Sequence, residues 1–109
     1  MSAKGIQRII GMLGFARRAG ATVIGTELIC RALPKGAVKL VVVSCGASEA
    51  TKKKLTVKSE FYGVEAIEAE VGTEELGRLL GKSGAVAAVA VCDGGFAGEI
   101  LKAHRGSDF

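Results

Sequence analysis

The sequence predicts a three-layer α/β/α sandwich with a mixed central sheet of about four strands. Three observations carry that expectation. Segments with helical apolar spacing alternate with short β-branched runs along the chain. Two of those runs, 39–44 and 86–91, are almost wholly apolar, as strands covered on both faces are. The breaks between them hold Gly, Ser, Thr or Pro where helices begin and end. At 109 residues the chain has room for one core, and a 49% hydrophobic, 24% charged composition is that of a folded domain rather than a disordered segment. The expected domain spans 1–104, with 105–109 as a frayed tail.

Each element has a local justification. Ile6, Ile9, Ile10, Leu13 and Ala16 share one face of a first helix that Gly20 stops, while Lys4, Arg8, Phe15 and Arg18 fall on the opposite stripe. Thr22–Ile24 is a short β-branched strand. Gly25 turns the chain, Thr26 is placed to cap a second helix of about two turns, and Pro34 follows its end. Lys39–Ser44 reads as a central strand, after which Ser48 caps a third helix running to about Tyr62 and stopped by Gly63. Val64–Ala69 is another strand, Thr73 caps a fourth helix through Leu80, Val86–Val91 is a buried strand, and the last helix runs from Gly95 to about His104.

Several function classes find no support. The longest apolar run, Val86–Cys92, is far short of the roughly 20 residues of a membrane helix, and no signal-peptide pattern opens the chain, so a cytoplasmic protein without a membrane partner is expected. Cys30, Cys45 and Cys92 are odd in number, widely spaced and set in apolar segments, and are read as reduced core residues. The one histidine, His104, has no evident nucleophile or base beside it. Gly77–Ser83 imitates a phosphate loop but has one residue too few between its glycines and closes a helix instead of opening one. Asp93-Gly94-Gly95 follows a strand and opens a helix, but its carboxylate would repel a phosphate, so a tight turn is the better reading. Cys45 and Ser48 flank a glycine after a central strand, yet no base accompanies them. No enzyme, metal site or cofactor is expected.

Charge is the informative feature. The net +4 conceals an asymmetry: residues 1–58 hold eleven Lys or Arg against Glu27 and Glu49, a net +9, whereas residues 59–109 hold four against nine acids, a net −5. Such segregation suits a polyanionic partner, nucleic acid above membrane. In the segment Gly25–Arg31, the N-terminus of the second helix offers unpaired backbone N–H groups and a partial positive charge. Glu27 and Arg31 stand four apart on one face, which sets a carboxylate able to accept base N–H bonds beside a guanidinium able to pair with phosphate. A plain surface Glu–Arg pair explains the same spacing equally well.

The runs Leu13-Gly14-Phe15-Ala16-Arg17-Arg18-Ala19-Gly20, Gly25-Thr26-Glu27 and Leu40 to Ser48 resemble the kink-turn-binding ribosomal-protein superfamily of archaeal large-subunit type. Thr51-Lys52-Lys53-Lys54, Leu76-Gly77 with Gly81-Lys82, and Gly95-Phe96-Ala97 extend the resemblance over about 100 residues, and the bacterial YlxQ-type branch is the most similar in pattern. The resemblance implies that the glycine turn and the first turn of helix two, Gly25, Thr26, Glu27, Leu28 and Arg31, enter the RNA at tandem G·A pairs. It further implies that a second loop, near Lys82, Ser83 and Gly84, packs on a bulged nucleotide. Arg18 and Lys35 complete the candidate RNA-binding set. Archaeal and eukaryotic members carry Asn and then Glu where this chain has Glu27 and Leu28, and prefer branched apolar residues in the second loop, so base recognition and stacking should both differ here. The expected function is therefore a monomeric, non-enzymatic RNA-binding protein acting on ribosomal or other structured non-coding RNA. The competing reading is a protein-interaction module of the same fold that has lost RNA recognition.

Overall fold

The computed structural model describes residues 3–106. Five helices and four strands follow in the order α1 (Ala3–Arg18), β1 (Thr22–Ile24), α2 (Thr26–Ala32), a 3-10 turn (Leu33–Lys35), β2 (Leu40–Ser44), α3 (Glu49–Phe61), β3 (Glu65–Ala69), α4 (Thr73–Leu79), β4 (Ala88–Val91) and α5 (Gly94–His104). The strands form one mixed sheet in the order β1-β4-β2-β3, with β4 antiparallel to both of its neighbours and β2 parallel to β3. This is the three-layer α/β/α arrangement expected from the alternation of strand and helix patterns.

The period-2 geometry of the strands sorts the core into two halves. Leu40, Val42, Ile67, Val89 and Val91 face a cluster with Ile9, Leu13 and Ala16 of α1, Leu76 of α4, and Ala97, Ile100 and Ala103 of α5. Val41, Val43, Ala88 and Ala90 face the opposite way, onto Ile29 of α2 and Leu55 of α3. The register keeps the faces matched, because Val41 stands opposite Ala90 and Val42 opposite Val89. On edge strand β3 the acids follow the same alternation. Glu65 reaches Arg105 beyond α5 at 3.0 Å, and Glu68, on the other face, reaches Lys52 of α3 at 3.4 Å.

The helix starts depart from the expected caps in two places. Thr26 and Thr73 are the first residues of their helices; the N-cap positions belong to Gly25 and Gly72, with no side-chain cap bond at either. Ser48 does cap α3, its hydroxyl accepting from the Thr51 N–H at 3.1 Å. Asp93 caps α5, accepting from the Phe96 N–H at 3.0 Å, which gives the Asp-Gly-Gly turn a structural purpose. Arg105 is the C-cap of α5; residues 107–109 of the expected tail lie outside the described residues. On α1, Arg8 does not stand in open solvent but meets Glu99 of α5 at 2.6 Å.

The cysteines are not uniformly core residues. Cys45 is exposed, and Cys30 and Cys92 are half-buried. Strand β2 ends at Ser44, so Cys45 falls in the turn that follows, and it is Ser44 that is buried: its hydroxyl donates to the Val71 carbonyl at 2.6 Å and accepts from the Gly46 N–H at 3.0 Å. Burial pushes the Cys92 thiol above its ordinary pKa, with Lys39 opposing the shift.

The attachment of α2 to the sheet rests on Ile29, its one fully buried side chain, set against the alanines of β4. Ile29→Ala is expected to lower unfolding free energy in a urea titration by about 2–5 kcal/mol. An exposed substitution such as Lys35→Ala should stay within about 0.5 kcal/mol.

Candidate nucleic-acid interface

The glycine turn is built by the conformation of Gly25, whose φ of 102° and ψ of 144° lie in a region that L side chains rarely adopt. A Cβ at this position would meet nothing within 4 Å, so the turn selects glycine for its backbone angle, and the outer surface of the turn is open. The Gly25 N–H donates to the Ala88 carbonyl at 3.1 Å, which ties the turn to the first residue of β4. The Gly25 carbonyl in turn accepts from Ile29, closing the first bond of α2.

The second loop enters β4 from the other side of the same junction. Residues 81–87 leave α4 through Gly81, at φ 74°, and the Val86 N–H donates back to the Thr73 carbonyl at 2.9 Å. The loop is pressed onto α4 at Gly77. The Lys82 N–H donates to the Gly77 carbonyl at 2.8 Å, and a Cβ on Gly77 would come within 2.0 Å of the Gly84 carbonyl oxygen. Below the loop lies a cleft of about 330 Å³ lined by Glu74, Arg78, Lys82, Ser83, Gly84 and Ala85. Arg17, at the end of α1, braces the base of the loop by donating to the Leu80 carbonyl at 2.9 Å. A cation at a helix C-terminus is favourable electrostatically as well as through the bond itself.

The structure thus brings Gly25, Thr26, Glu27 and Leu28 to the same end of the sheet as the loop that carries Lys82, Ser83 and Gly84, because both segments join the start of β4. Arg31 is exposed on the last turn of α2. Lys35 lies ten residues beyond Gly25, about 15 Å along the helical segment, and is exposed. Arg18 sits at the end of α1 with its guanidinium 4.8 Å from the centre of the Phe15 ring. Neither of these last two joins the glycine turn.

The expected Glu27–Arg31 pairing gives way to another. The Glu27 carboxylate reaches Lys54 of α3 at 3.4 Å, and both side chains are at least half exposed. Helices α2 and α3 share one face of the sheet, so a partner across that face competes with the neighbour one turn along. Arg31 keeps no ion pair among the described residues and remains available to an incoming anion. Sequence reasoning named Arg17 and Gly77 only inside longer motifs, with no role of their own, and did not single out Arg78. The one signal for them was a glycine inside a helical pattern, which often marks a close backbone approach. No group of three or more His, Cys, Asp or Glu among the described residues could hold a metal ion.

A short helix whose N-terminus stands beside a loop entering a central antiparallel strand, on an α/β/α sandwich, defines the class of protein at hand. Residues 7–101 match the Ribosomal protein L7Ae/L30e/S12e/Gadd45 family, and the chain belongs to that family. Within it the chain falls in the YlxQ-like branch. It is 38% identical over 90 residues to the RNA-binding protein YlxQ of Bacillus subtilis (strain 168), covering 83% of this chain and 88% of the relative. It is 35% identical over 91 residues to the RNA-binding protein YlxQ of Enterococcus faecium, covering 84% and 85%. Among solved structures, a protein with unknown function from Bacillus halodurans C matches with a TM-score of 0.81 at 31% identity, over 88% of this chain and 95% of that one. The Giardia lamblia 15.5kD RNA binding protein matches with a TM-score of 0.76 over 94% and 87%; at 14% identity this likeness speaks for the fold alone.

The dependence of the second loop on Gly77 is open to test. Gly77→Ala is expected to push the loop off α4, seen as faster hydrogen exchange at the Lys82 and Val86 amides and a lower thermal midpoint. Gly84→Ala, whose Cβ would meet nothing within 4 Å, should leave both unchanged.

Proposed function

We propose that this protein is a non-enzymatic RNA-binding protein that grips structured RNA, of kink-turn or related form, between the glycine turn of α2 and the loop 81–87. The observation that carries this reading is the shared attachment of both segments to the start of β4, which fixes an open backbone turn beside a loop that carries Lys82 and shares a cleft with Arg78. The family match and the names of the YlxQ relatives support the RNA partner. A ribosomal or other non-coding RNA in the cytoplasm, bound by a monomer, is the setting that fits them.

The chemistry divides by residue. Backbone N–H groups at the start of α2 and the Arg31 guanidinium suit phosphate oxygens, which position an RNA without reading it. Glu27 is the carboxylate at the turn able to accept a base N–H, and it is held toward Lys54 until an RNA displaces one of the two. Leu28, 53% exposed on the first turn, favours a second reading, a protein-interaction module of the same fold, because an exposed aliphatic group suits an apolar partner better than a base edge. Crosslinking in cells followed by sequencing of the attached RNA separates the two. One defined RNA supports the first reading, and a stoichiometric protein partner without RNA supports the second.

Binding to structured RNA is expected to weaken steeply with salt, log K falling by about 0.7–0.9 per phosphate contact for each decade of salt concentration. A slope near zero would contradict the proposal. In filter binding or anisotropy, Arg31→Ala should weaken every RNA and reduce the salt slope by about one contact. Glu27→Ala should act differently. It removes a negative charge and releases Lys54, so non-target RNAs should bind at least as tightly as before and discrimination should fall. Gly25→Val places a branched side chain on the open surface of the turn at an unfavourable φ, and should abolish binding of all RNAs. Circular dichroism must show that the fold persists, because strain of about 1–3 kcal/mol accompanies the change.

A further inference from the structure

Helix α3 is apolar on two opposite sides. Leu55 and Ser59 are buried against the sheet. At 100° per residue, Ala50, Val57 and Phe61 fall within an arc of about 40° whose centre lies about 20° from the point opposite them. All three are exposed, Val57 to 57% and Phe61 to 79%. Lys53 flanks this strip on one side, Lys54 and Lys58 on the other. An open groove of about 550 Å³ follows the strip, lined by Ala50, Lys53, Lys54, Val57 and Lys58. The apolar strip itself runs about 16 Å from Ala50 to Phe61, three helical turns.

We infer that this outer face of α3 docks an acidic amphipathic helix of a protein partner, on a surface that adjoins the proposed RNA interface at Lys54, the partner of Glu27. A surface with apolar anchors spaced four and seven residues apart on the crest of a helix, and cations along both margins, is the complement of a helix with apolar residues on one stripe and carboxylates beside it. RNA would engage the lysines and find one stacking platform in Phe61 at the end of the strip, but gain little from Ala50 and Val57 between the lysines, since aliphatic groups neither stack on bases nor pair with phosphate. A second copy of this chain offers no matching surface. Among the described residues its acids are spread over α2, α3, β3, α4 and α5; α4, which carries the adjacent pair Glu74 and Glu75, exposes no large hydrophobic residue, and the exposed large ones (Phe15, Leu28, Val57, Phe61 and Tyr62) are on or next to α1, α2 and α3. The basic margins therefore select an acidic partner, and the apolar strip selects a folded helix over an extended acidic tail.

The test uses the whole chain, labelled for NMR, and two synthetic helical peptides of about five turns. One carries Leu at four- and seven-residue spacing flanked by Glu; the other has each Glu replaced by Lys. The acidic peptide should give saturable shifts centred on Ala50, Lys53, Val57, Lys58 and Phe61, and bind at least tenfold tighter than the basic one. Val57→Ser combined with Phe61→Ser should weaken it tenfold or more while RNA affinity and the thermal midpoint stay unchanged. Lys53→Glu with Lys58→Glu should reverse the preference between the peptides and serves as the second variant should the first lose its fold. Shifts located elsewhere, no saturable binding, or equal binding by the variants would overturn the proposal. Displacement of the peptide by structured RNA, or by vesicles containing phosphatidylglycerol, would assign the face to RNA or to membrane instead.

Discussion

Strand β4 fixes the candidate RNA end of the molecule. It is a central strand, antiparallel to both neighbours, and its alternation of Ala88, Val89, Ala90 and Val91 gives the two faces different depths. The valines fill the side toward α1, α4 and α5. The alanines leave room on the other side for α2 to lie close, with Ile29 buried against them. The Ala88 carbonyl receives the Gly25 N–H, and the Ala87 carbonyl receives that of Ser44, so the ends of β1 and β2 are secured at the point where the loop 81–87 enters the sheet. Two segments distant in sequence are thereby held side by side by backbone bonds within one strand-end. Side chains at the turn and in the loop can consequently vary without loss of the underlying geometry.

What the sequence made legible follows the range of the interactions concerned. Strand and helix identities came from local periodicity, and Ser48 was readable as a cap because its bond is made three residues away. The caps at Thr26 and Thr73 failed because a glycine occupies the N-cap ahead of each threonine, Gly25 at positive φ and Gly72 extended, so the helix begins one residue earlier than the hydroxyl pattern suggests. Cys45 failed for a similar reason: it continues an apolar run in sequence but lies past the end of the strand.

The candidate site was legible to the extent that it is local. Gly25 announces a turn by itself. The Glu27–Arg31 spacing is also local, yet the structure gives Glu27 to Lys54, a residue that only the packing of α2 beside α3 brings within reach. Arg17 bonds to Leu80 and Gly77 makes way for the Gly84 carbonyl; the first spans 63 residues and the second has no side chain to betray it. Such contacts are set by how helices cross the sheet, information that composition and periodicity do not carry.

The ion pairs refine the charge asymmetry into a choice of available cations. Most are exposed pairs, worth about 0–1 kcal/mol each and weaker still in salt, so they contribute little to the stability of the fold. Their effect is selective. Lys52 is drawn to Glu49 and Glu68, Lys54 to Glu27, Arg8 to Glu99 and Arg105 to Glu65. The Arg8 guanidinium, by hydrogen bonding and with Lys102 nearby, holds the Glu99 carboxyl below its ordinary pKa, which keeps that pair intact until the pH falls through the carboxylate range. Arg31, Lys53, Lys58, Arg78 and Lys82 have no such partner among the described residues. They fall into two groups in the fold: Arg31 on α2, Arg78 on α4 and Lys82 in the loop 81–87, and Lys53 with Lys58 on the outer face of α3. The free cations of α3 therefore stand apart from those near the glycine turn and the loop 81–87, and because α3 also carries Val57 and Phe61, the two places present different chemistry to what approaches them.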